Sequence, residues 1–184
     1  MKTLRNTILL AIAIISISIV SASAQTISGT KQGKVRTIEQ QIHKTLLGLP
    51  NYGVFDSIKY EVKGDTVTLT GKVYSLGTKS TAAAAVKSLP GIRNVVNEIK
   101  ELSPSPFDNT IRRQALQTFA NYGLGGYFWE TNPDVRIIVD SGNLTLEGYV
   151  MNTGDYNRLN IYANGISGVF NVQNNLIVGR DPNK

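Results

Sequence analysis

Residues Asp65–Val73 read Asp-Thr-Val-Thr-Leu-Thr-Gly-Lys-Val, and the related stretch Asn-Leu-Thr-Leu-Glu-Gly-Tyr-Val follows at Asn143–Val150. An offset of 77 residues places Gly71 on Gly148, and the same offset holds without a gap through the rest of each copy. A repeat of this length is too long for the unit of a solenoid, but it fits a small domain. The chain is therefore predicted to contain one small fold written twice.

The first copy predicts the element order helix, strand, strand, helix, strand. A first helix is indicated by an apolar stripe at helical spacing, formed by Val35, Ile38, Ile42 and Leu46. Alternating apolar and polar residues over 58–73 predict a hairpin with one buried face. A second helix should begin with Thr78 as N-cap and end at Pro90, and residues 92–101 supply a third strand. Since crossovers are right-handed, we expect an α+β domain whose three-stranded mixed sheet is covered on one face by two helices.

The second copy repeats this order, with four additional residues in the loop 121–134. Its first helix is expected to begin with Asp108 or Asn109 as N-cap. Between the copies, the alternating serines and prolines of 103–106 predict a short extended linker. We place the first domain at 34–102, the linker at 103–107, the second domain at 108–179 and a tail at 180–184.

The first residues are typical of a secretory signal. Lys2 and Arg5 precede an apolar run from Ile8 to Val20, and an Ala-x-Ala-like site ends at Ala24. That run is shorter than the roughly 20 residues that a membrane-spanning helix needs. We expect cleavage after Ala24, a disordered lead-in at 25–33 and a periplasmic product. The chain has no cysteine, so each small domain depends on its own hydrophobic core.

Composition argues against several function classes. The net charge is +6, of which Lys2 and Arg5 supply two charges, so the exported part is only mildly basic. The single histidine, His43, has no recognisable nucleophile or base beside it, and the acidic residues lack metal-ligand spacing. Gly123–Gly126 fits the G-x-x-G string of some nucleic-acid clamps, but it falls between a helix and a strand. We predict a non-enzyme with no cofactor, no metal and no nucleic-acid partner.

The repeated residues resemble the BON-domain family. Val67–Val73 matches the family pattern V-T-L-T-G-x-V, and Leu144–Val150 gives its second copy; further matching positions are Gly91, Asn97, Gly168 and Asn174. The doubled, exported layout resembles the OsmY type of that family. The resemblance implies a non-catalytic envelope module that engages phospholipid or envelope partners, often under osmotic or other stress. The lipidated cysteine of some relatives is missing, so membrane contact would be peripheral.

The inserted loop carries the aromatic run Tyr127-Phe128-Trp129, and the arginines near it in sequence are Arg112, Arg113 and Arg136. Aromatic rings suit the boundary between apolar and wet layers, and guanidinium groups pair with phosphates. The same rings could instead cover the end of a small core. The leading hypothesis is an envelope-maintenance protein that binds anionic phospholipid surfaces through the second domain.

A protein-interaction or chaperone-like module is the alternative, with envelope proteins as partners. Ile138 and Tyr149 fall on the outer phase of the second hairpin, where the first copy has Glu61 and Lys72. The second sheet is therefore expected to expose an apolar spot.

The predicted structural positions occur in equivalent pairs: Gly71 and Gly148, Gly91 and Gly168, Asn97 and Asn174. The first pair lies on the inner sheet face, where a missing Cβ would allow a helix backbone to come close. The asparagines lie in phase with inward residues, so their amides should hydrogen bond to a neighbouring turn.

Overall fold

The computed structural model describes residues 37–102, 104–128 and 131–181. The predicted signal sequence, the lead-in at 25–33, Val35 and Trp129 lie outside the described residues. Within them, the order α-β-β-α-β occurs twice, each time with a mixed sheet and two helices. The predicted α+β fold with two tandem domains is confirmed.

In the first domain the elements are α1 (described over 37–47), β1 (Ser57–Lys63), β2 (Thr66–Val73), α2 (Thr78–Lys87), β3 (Asn94–Asn97) and β4 (Lys100–Glu101). β1 and β2 form the predicted antiparallel hairpin. β3 and β4 both pair parallel to β2, with a break at Glu98 and Ile99. The predicted single third strand is thus present as two short segments in line.

The elements of the second domain are α3 (Pro106–Asn121), a 3-10 turn (Gly125–Tyr127), β5 (Val135–Asp140), β6 (Asn143–Val150), α4 (Thr153–Asn164) and β7 (Asn171–Val178). The sheet order is β5-β6-β7. β5 is antiparallel to β6, and β7 is parallel to β6 along all eight of its residues. The added residues of the longer loop accommodate the 3-10 turn.

Each sheet buries one face against its own two helices. This agrees with the apolar patterns, which repeat every two residues in the strands and about every 3.6 residues in the helices. The first core joins both helices to the sheet and includes Ile42, Val67, Leu69, Val73 and Val86. The second core is built in the same way from Phe119, Leu144, Leu146, Val150 and Leu159. Equivalent strand positions are therefore buried in both copies, as the repeat predicts.

Two helix starts differ from the sequence prediction. α2 has Gly77 as N-cap, and Thr78 is instead its first helical residue, with a buried side chain. α3 begins at Pro106, and the backbone N–H of Asp108 donates to the Ser105 hydroxyl at 3.2 Å. Proline is favourable at the first helical position because its missing N–H would have no partner there. Residues 106 and 107, predicted as linker, therefore belong to the helix.

Gly71 and Gly148 occupy equivalent positions with φ of 116° and 122°. A Cβ on Gly71 would lie 2.1 Å from the carbonyl oxygen of Ser57, and one on Gly148 would lie 2.0 Å from that of Asp134. The predicted approach of a helix is wrong: the backbone of the neighbouring chain segment fills the space. The remaining predicted glycines are also left-handed, Gly91 with φ 92° and Gly168 with φ 87°.

The two asparagines of the third strands make matching hydrogen bonds. Asn97 Nδ2 donates to the carbonyl of Lys79 at 2.8 Å, and Asn174 Nδ2 donates to that of Tyr156 at 3.4 Å. Each amide oxygen accepts from the backbone N–H two residues further along. The predicted hydrogen bonds of the asparagine amides are present, but the predicted partner, a neighbouring turn, is wrong: the asparagines connect the third strand to the preceding helix.

Candidate functional site

The two domains contact each other directly. The backbone N–H of Ile137 on β5 donates to the carbonyl of Val54 at 2.8 Å. Val54 and Phe55 pack against the hydrophobic core of the second domain. The loop before β1 therefore covers the outer edge of β5, so β5 is not available to another strand.

Arg136, a predicted headgroup ligand, is part of this domain contact. Its Nη1 donates to the carbonyls of Gly53 at 2.7 Å and Asp56 at 3.1 Å. The guanidinium also lies over the Tyr52 ring, 4.1 Å from the centroid. Burial raises the pKa of Tyr52, although the charge of Arg136 opposes that rise. Arg136 therefore holds the first domain's loop, and its Nη1 and Nη2 groups already donate to protein oxygens.

Arg112, the second predicted ligand, is only 1% exposed. Its Nη2 donates to the carbonyl of Val139, its Nη1 donates to Asn109 Oδ1 at 2.6 Å, and its guanidinium lies 4.5 Å from the Tyr74 ring centroid. Burial lowers the pKa of the guanidinium, while Asp108 acts in the opposite direction. Arg112 joins α3, β5 and the first domain, and it cannot reach a membrane surface.

The outer faces of the two sheets meet through ion pairs. Lys59 Nζ lies 2.8 Å from Glu147 Oε1, and Lys72 Nζ lies 2.5 Å from Asp140 Oδ2. Ile138 is 4% exposed and lines the cleft between these faces, which has a volume of about 720 Å³. The predicted exposed apolar spot at Ile138 is therefore wrong, because the position lies inside the domain contact.

The two domains have net charges of opposite sign, in agreement with the ion pairs, whose lysines belong to the first domain and whose carboxylates belong to the second. Residues 34–102 contain ten basic and six acidic side chains, a net charge of +4. Residues 108–180 contain five basic and six acidic ones, a net charge of −1. Opposite signs favour the docking of the two sheet faces, with the attraction concentrated at the close pairs.

These pairs predict that the domain contact weakens in acid. Burial raises the pKa of Glu147, but hydrogen bonds from Lys59, Ser57 and Asn175 outweigh it and leave this pKa below its usual 4.5. The hydrogen bond from Lys72 likewise holds the pKa of Asp140 below 3.8. Because both folded-state pKa values are lowered, the stabilisation is present above these usual values and is lost as pH falls through the folded ones.

We expect Glu147→Gln to reduce the acid sensitivity of unfolding. The measurement is the free energy of unfolding at pH 7 and pH 3 for the wild type and the variant. Glu61→Gln is the control, since Glu61 is exposed and its ion pair, with Lys63, lies within the first domain. If Glu147→Gln and wild type lose equal stability between the two pH values, the Lys59–Glu147 contact does not contribute to the pH dependence.

The aromatic loop covers the end of the second core. Phe128 is 4% exposed and its ring stacks on Phe119, with centroids 5.2 Å apart. The hydroxyl of Tyr127 donates to Asp155 Oδ2 at 2.7 Å and accepts from the N–H of Met151 at 3.1 Å. For these two residues the alternative of a core cover is correct, since Phe128 has no free face and Tyr127 is half-buried.

Tyr149 and Arg113 are the other predicted contacts. Tyr149 is half-buried and lines a cavity of about 410 Å³ between the domains, together with Tyr52 and Tyr60. Arg113 is exposed on α3, where it donates to Thr110 at 3.3 Å. The predicted residues are thus divided among the domain contact, the core and the surface, and they form no single site.

A different set of residues forms an exposed patch on the helical side of the second domain. Tyr122 stacks on Tyr162 with ring centroids 3.9 Å apart. Arg158 of α4 donates to the Tyr122 carbonyl, and Ile161, one turn further, is 64% exposed. We call Tyr122, Arg158, Ile161 and Tyr162 the helix face.

The sequence contained a signal for the helix face. Leu159 and Ala163 are fully buried, and Ile161 lies between them, off their stripe. A β-branched apolar residue on the outer side of a helix does not contribute to the core. When the residues beside it are also apolar or aromatic, the group indicates a surface that contacts another molecule. Neither Ile161 nor Tyr162 is among the contact residues predicted from the sequence.

Two further classes of site are absent from the described residues. No group of three histidine, aspartate or glutamate side chains in 37–102, 104–128 and 131–181 could hold a metal ion. In the same part of the chain, no helix has the length and apolar character needed to cross a membrane.

The protein-family model of the BON domain matches residues 34–102 and 108–180, which together make up most of the chain. The chain belongs to the BON-domain family. In this BON-domain protein the motif that carries the family pattern lies on the central strands β2 and β6, and its glycine is the position where a Cβ would meet the adjacent segment. No curated protein matches the chain.

Among solved structures, the chain is similar to CdsD, a structural protein of the type III secretion system of Chlamydia trachomatis. The identity is 11% and the TM-score 0.33, over 79% of this chain and 94% of that one. The C-terminal domain of CdsD gives 12% identity and a TM-score of 0.31, over 76% and 96%. Similarity at this level carries no functional argument.

Proposed function

We propose that this BON-domain protein is a non-catalytic, exported envelope protein of the periplasm that binds anionic phospholipid surfaces peripherally. The helix face of the second domain is the contact surface. The observation that supports this proposal is an exposed isoleucine beside a stacked tyrosine pair, with an arginine on the same side. Its role would be envelope maintenance under osmotic or other stress.

The helix face is open to a headgroup layer, whereas two other surfaces of the second domain are covered. The outer sheet face meets the first domain, and the edge of β5 is covered by the loop before β1. Tyrosine rings and an isoleucine side chain can enter the boundary layer while Arg158 stays at the level of the phosphates. Full burial of one isoleucine side chain contributes about 1.5–3 kcal/mol, which suits reversible binding.

Electrostatic attraction would come mainly from the first domain. The second domain has a net charge of −1, whereas the first has +4, so long-range attraction to an anionic surface does not depend on the helix face alone. Added salt should therefore weaken binding without removing the apolar contribution. The two contributions can be separated by substitutions in the helix face.

We expect Ile161→Asp to reduce binding to vesicles of phosphatidylglycerol and phosphatidylcholine by about tenfold or more, because it removes apolar burial and adds a charge. Co-sedimentation of residues 25–184 at low ionic strength measures the effect. Asn157→Asp is the matched control, since Asn157 is exposed on the same helix and the change in charge is the same. The control should bind within about threefold of the wild type.

Two outcomes would contradict the proposal. If the wild type does not sediment with the anionic vesicles, the lipid function is wrong. If Ile161→Asp and Asn157→Asp bind equally, the contact lies elsewhere. The alternative of a protein-interaction or chaperone-like module would be favoured by a wild type that ignores vesicles but keeps aggregation-prone proteins soluble; Ile138 cannot be its contact, because it is buried.

A further inference from the structure

β7 forms one edge of the second sheet, and no strand among the described residues pairs with its other side. It is eight residues long, Asn-Val-Gln-Asn-Asn-Leu-Ile-Val, and its pairing with β6 is unbroken. The strand contains no charged residue and no proline. Long, uncharged edges of this kind are the ones that readily accept another strand, and proteins usually block them.

The first domain provides an internal comparison, because its corresponding edge is blocked. With the offset of 77, Phe170, Asn175, Ile177 and Val178 correspond to Arg93, Glu98, Lys100 and Glu101. Every one of these four positions is charged in the first copy. That edge is also divided into β3 and β4, which have four and two residues. One copy of the fold thus carries the usual protection, and the other lacks it.

The exposed large apolar side chains of β7 and its flank lie near its two ends. Phe170, just before the strand, is 76% exposed, and Ile177 and Val178 at the other end are 55% and 47% exposed. Phe170 is held in place by stacking on Phe107, with ring centroids 5.8 Å apart. If a strand of the same sequence paired antiparallel with β7, apolar side chains of the two strands would therefore contact each other at both ends.

The backbone of β7 is also suitable for pairing. Gly179 donates to the carbonyl of Val150 on β6, so by the alternation of a parallel ladder Val172, Asn174, Leu176 and Val178 direct their N–H groups away from β6. Asn174 Oδ1 accepts the N–H of Leu176 at 3.2 Å. This hydrogen bond occupies the N–H of Leu176, and the other three N–H groups have no strand partner on that side within the described part of the chain.

We propose that a second copy of this chain pairs with β7 in antiparallel orientation, which would join the two second-domain sheets into one six-stranded sheet about a two-fold axis. A two-fold pairing uses the same patch on both copies. It places Phe170 of one copy near Val178 of the other, twice, and it opposes no like charges along the strand. A second copy is the occupant because residues 170–178 of one chain supply both sides of this apolar match.

The self-association is weak and depends on concentration. Pairing of two edge strands with three apolar side chains at each end buries less surface than a stable interface of roughly 1,600 Å². We therefore expect a dissociation constant in roughly the micromolar to millimolar range. The helix face is not part of this contact, so the proposal is independent of lipid binding.

The test is analytical ultracentrifugation of residues 25–184 without lipid, over a concentration series up to about 1 mM. We expect the average mass of the wild type to rise toward twice the monomer mass. The double variant Ile177→Lys/Val178→Glu gives β7 the residue types of the first copy, and its self-association should be at least about tenfold weaker. Val96→Lys is the control. It adds a charge to β3, an edge strand of the first domain's sheet, at a valine that is 43% exposed, and this variant should associate like the wild type.

Circular dichroism melting of each variant checks that folding is retained, as expected for exposed positions. The proposal is overturned if the wild type stays monomeric over the whole concentration series. This holds also if β7 then proves to bind an extended segment of another protein. It is equally overturned if the double variant, folded, associates as strongly as the wild type, since the contact would then lie elsewhere.

Discussion

Gly148→Ala is expected to destabilise the second domain by more than about 3 kcal/mol. The new Cβ would lie 2.0 Å from the carbonyl oxygen of Asp134. That oxygen cannot move away freely, because it accepts the N–H of Tyr149 at 2.9 Å. The backbone of Gly148 also has φ 122°, a conformation that residues with a Cβ rarely adopt.

Strain and overlap act together at this position. Each contributes roughly 1–3 kcal/mol, and small domains have only about 5–15 kcal/mol of stability in total. Gly71→Ala should behave in the same way, since its Cβ would lie 2.1 Å from the Ser57 carbonyl oxygen. Thermal and urea unfolding of both variants, followed by circular dichroism, measure the loss.

Gly126→Ala is the matched control in the second domain, because a Cβ there would meet nothing within 4 Å. It should unfold within about 0.5 kcal/mol of the wild type. If Gly148→Ala unfolds like Gly126→Ala, the close approach is not a constraint on the fold. A variant that keeps wild-type stability but loses vesicle binding would show that the glycine belongs to a ligand site.

The effect of each glycine substitution should also reach the other domain. Arg136 and Ile137 on β5 hold the loop before β1, and Lys59 and Lys72 pair with acidic residues of the second sheet. Unfolding of the second domain removes all of these contacts from the first. The two domains, predicted from the sequence to be joined only by a short extended linker, are therefore expected to unfold together.

The repeat made most of the fold predictable. The offset that relates Gly71 to Gly148 also relates Asn97 to Asn174, and the two asparagines make the same hydrogen bond. Identical residues at equivalent positions of the two copies have equivalent partners. The helix starts were less predictable: Asp108 has the chemistry of an N-cap, but its carboxylate accepts instead from the N–H groups of Ser141 and Gly142. Sequence shows the capping residue type, and tertiary contacts decide which backbone it meets.

The candidate site was harder to predict, since it depends on contacts between the domains. An arginine near an aromatic run in sequence looks the same whether it faces lipid or a second domain. Arg136 and Ile138 lie two residues apart on β5; Arg136 binds the loop of the first domain, and Ile138 lines the cleft between the two sheets. The repeat describes each domain alone, and no periodicity within one copy records the surface that meets the other.

Arg112→Ala is expected to destabilise the protein by about 3–5 kcal/mol, because it leaves buried polar partners behind. The guanidinium donates to the Val139 carbonyl and to Asn109, and it stacks on Tyr74 of the first domain. Its loss removes these contacts and opens a space that water and neighbouring side chains fill poorly. Urea unfolding gives the free energy directly.

The next residue provides the control for this prediction. Arg113 has the same side chain on the same helix, but it is exposed, so Arg113→Ala should change the stability by no more than about 0.5 kcal/mol. A headgroup ligand would give the opposite pattern, with unchanged stability and weaker vesicle binding. If Arg112→Ala unfolds like the wild type and loses binding to anionic vesicles, the burial of this arginine is not its role, and the original assignment to the membrane contact is right.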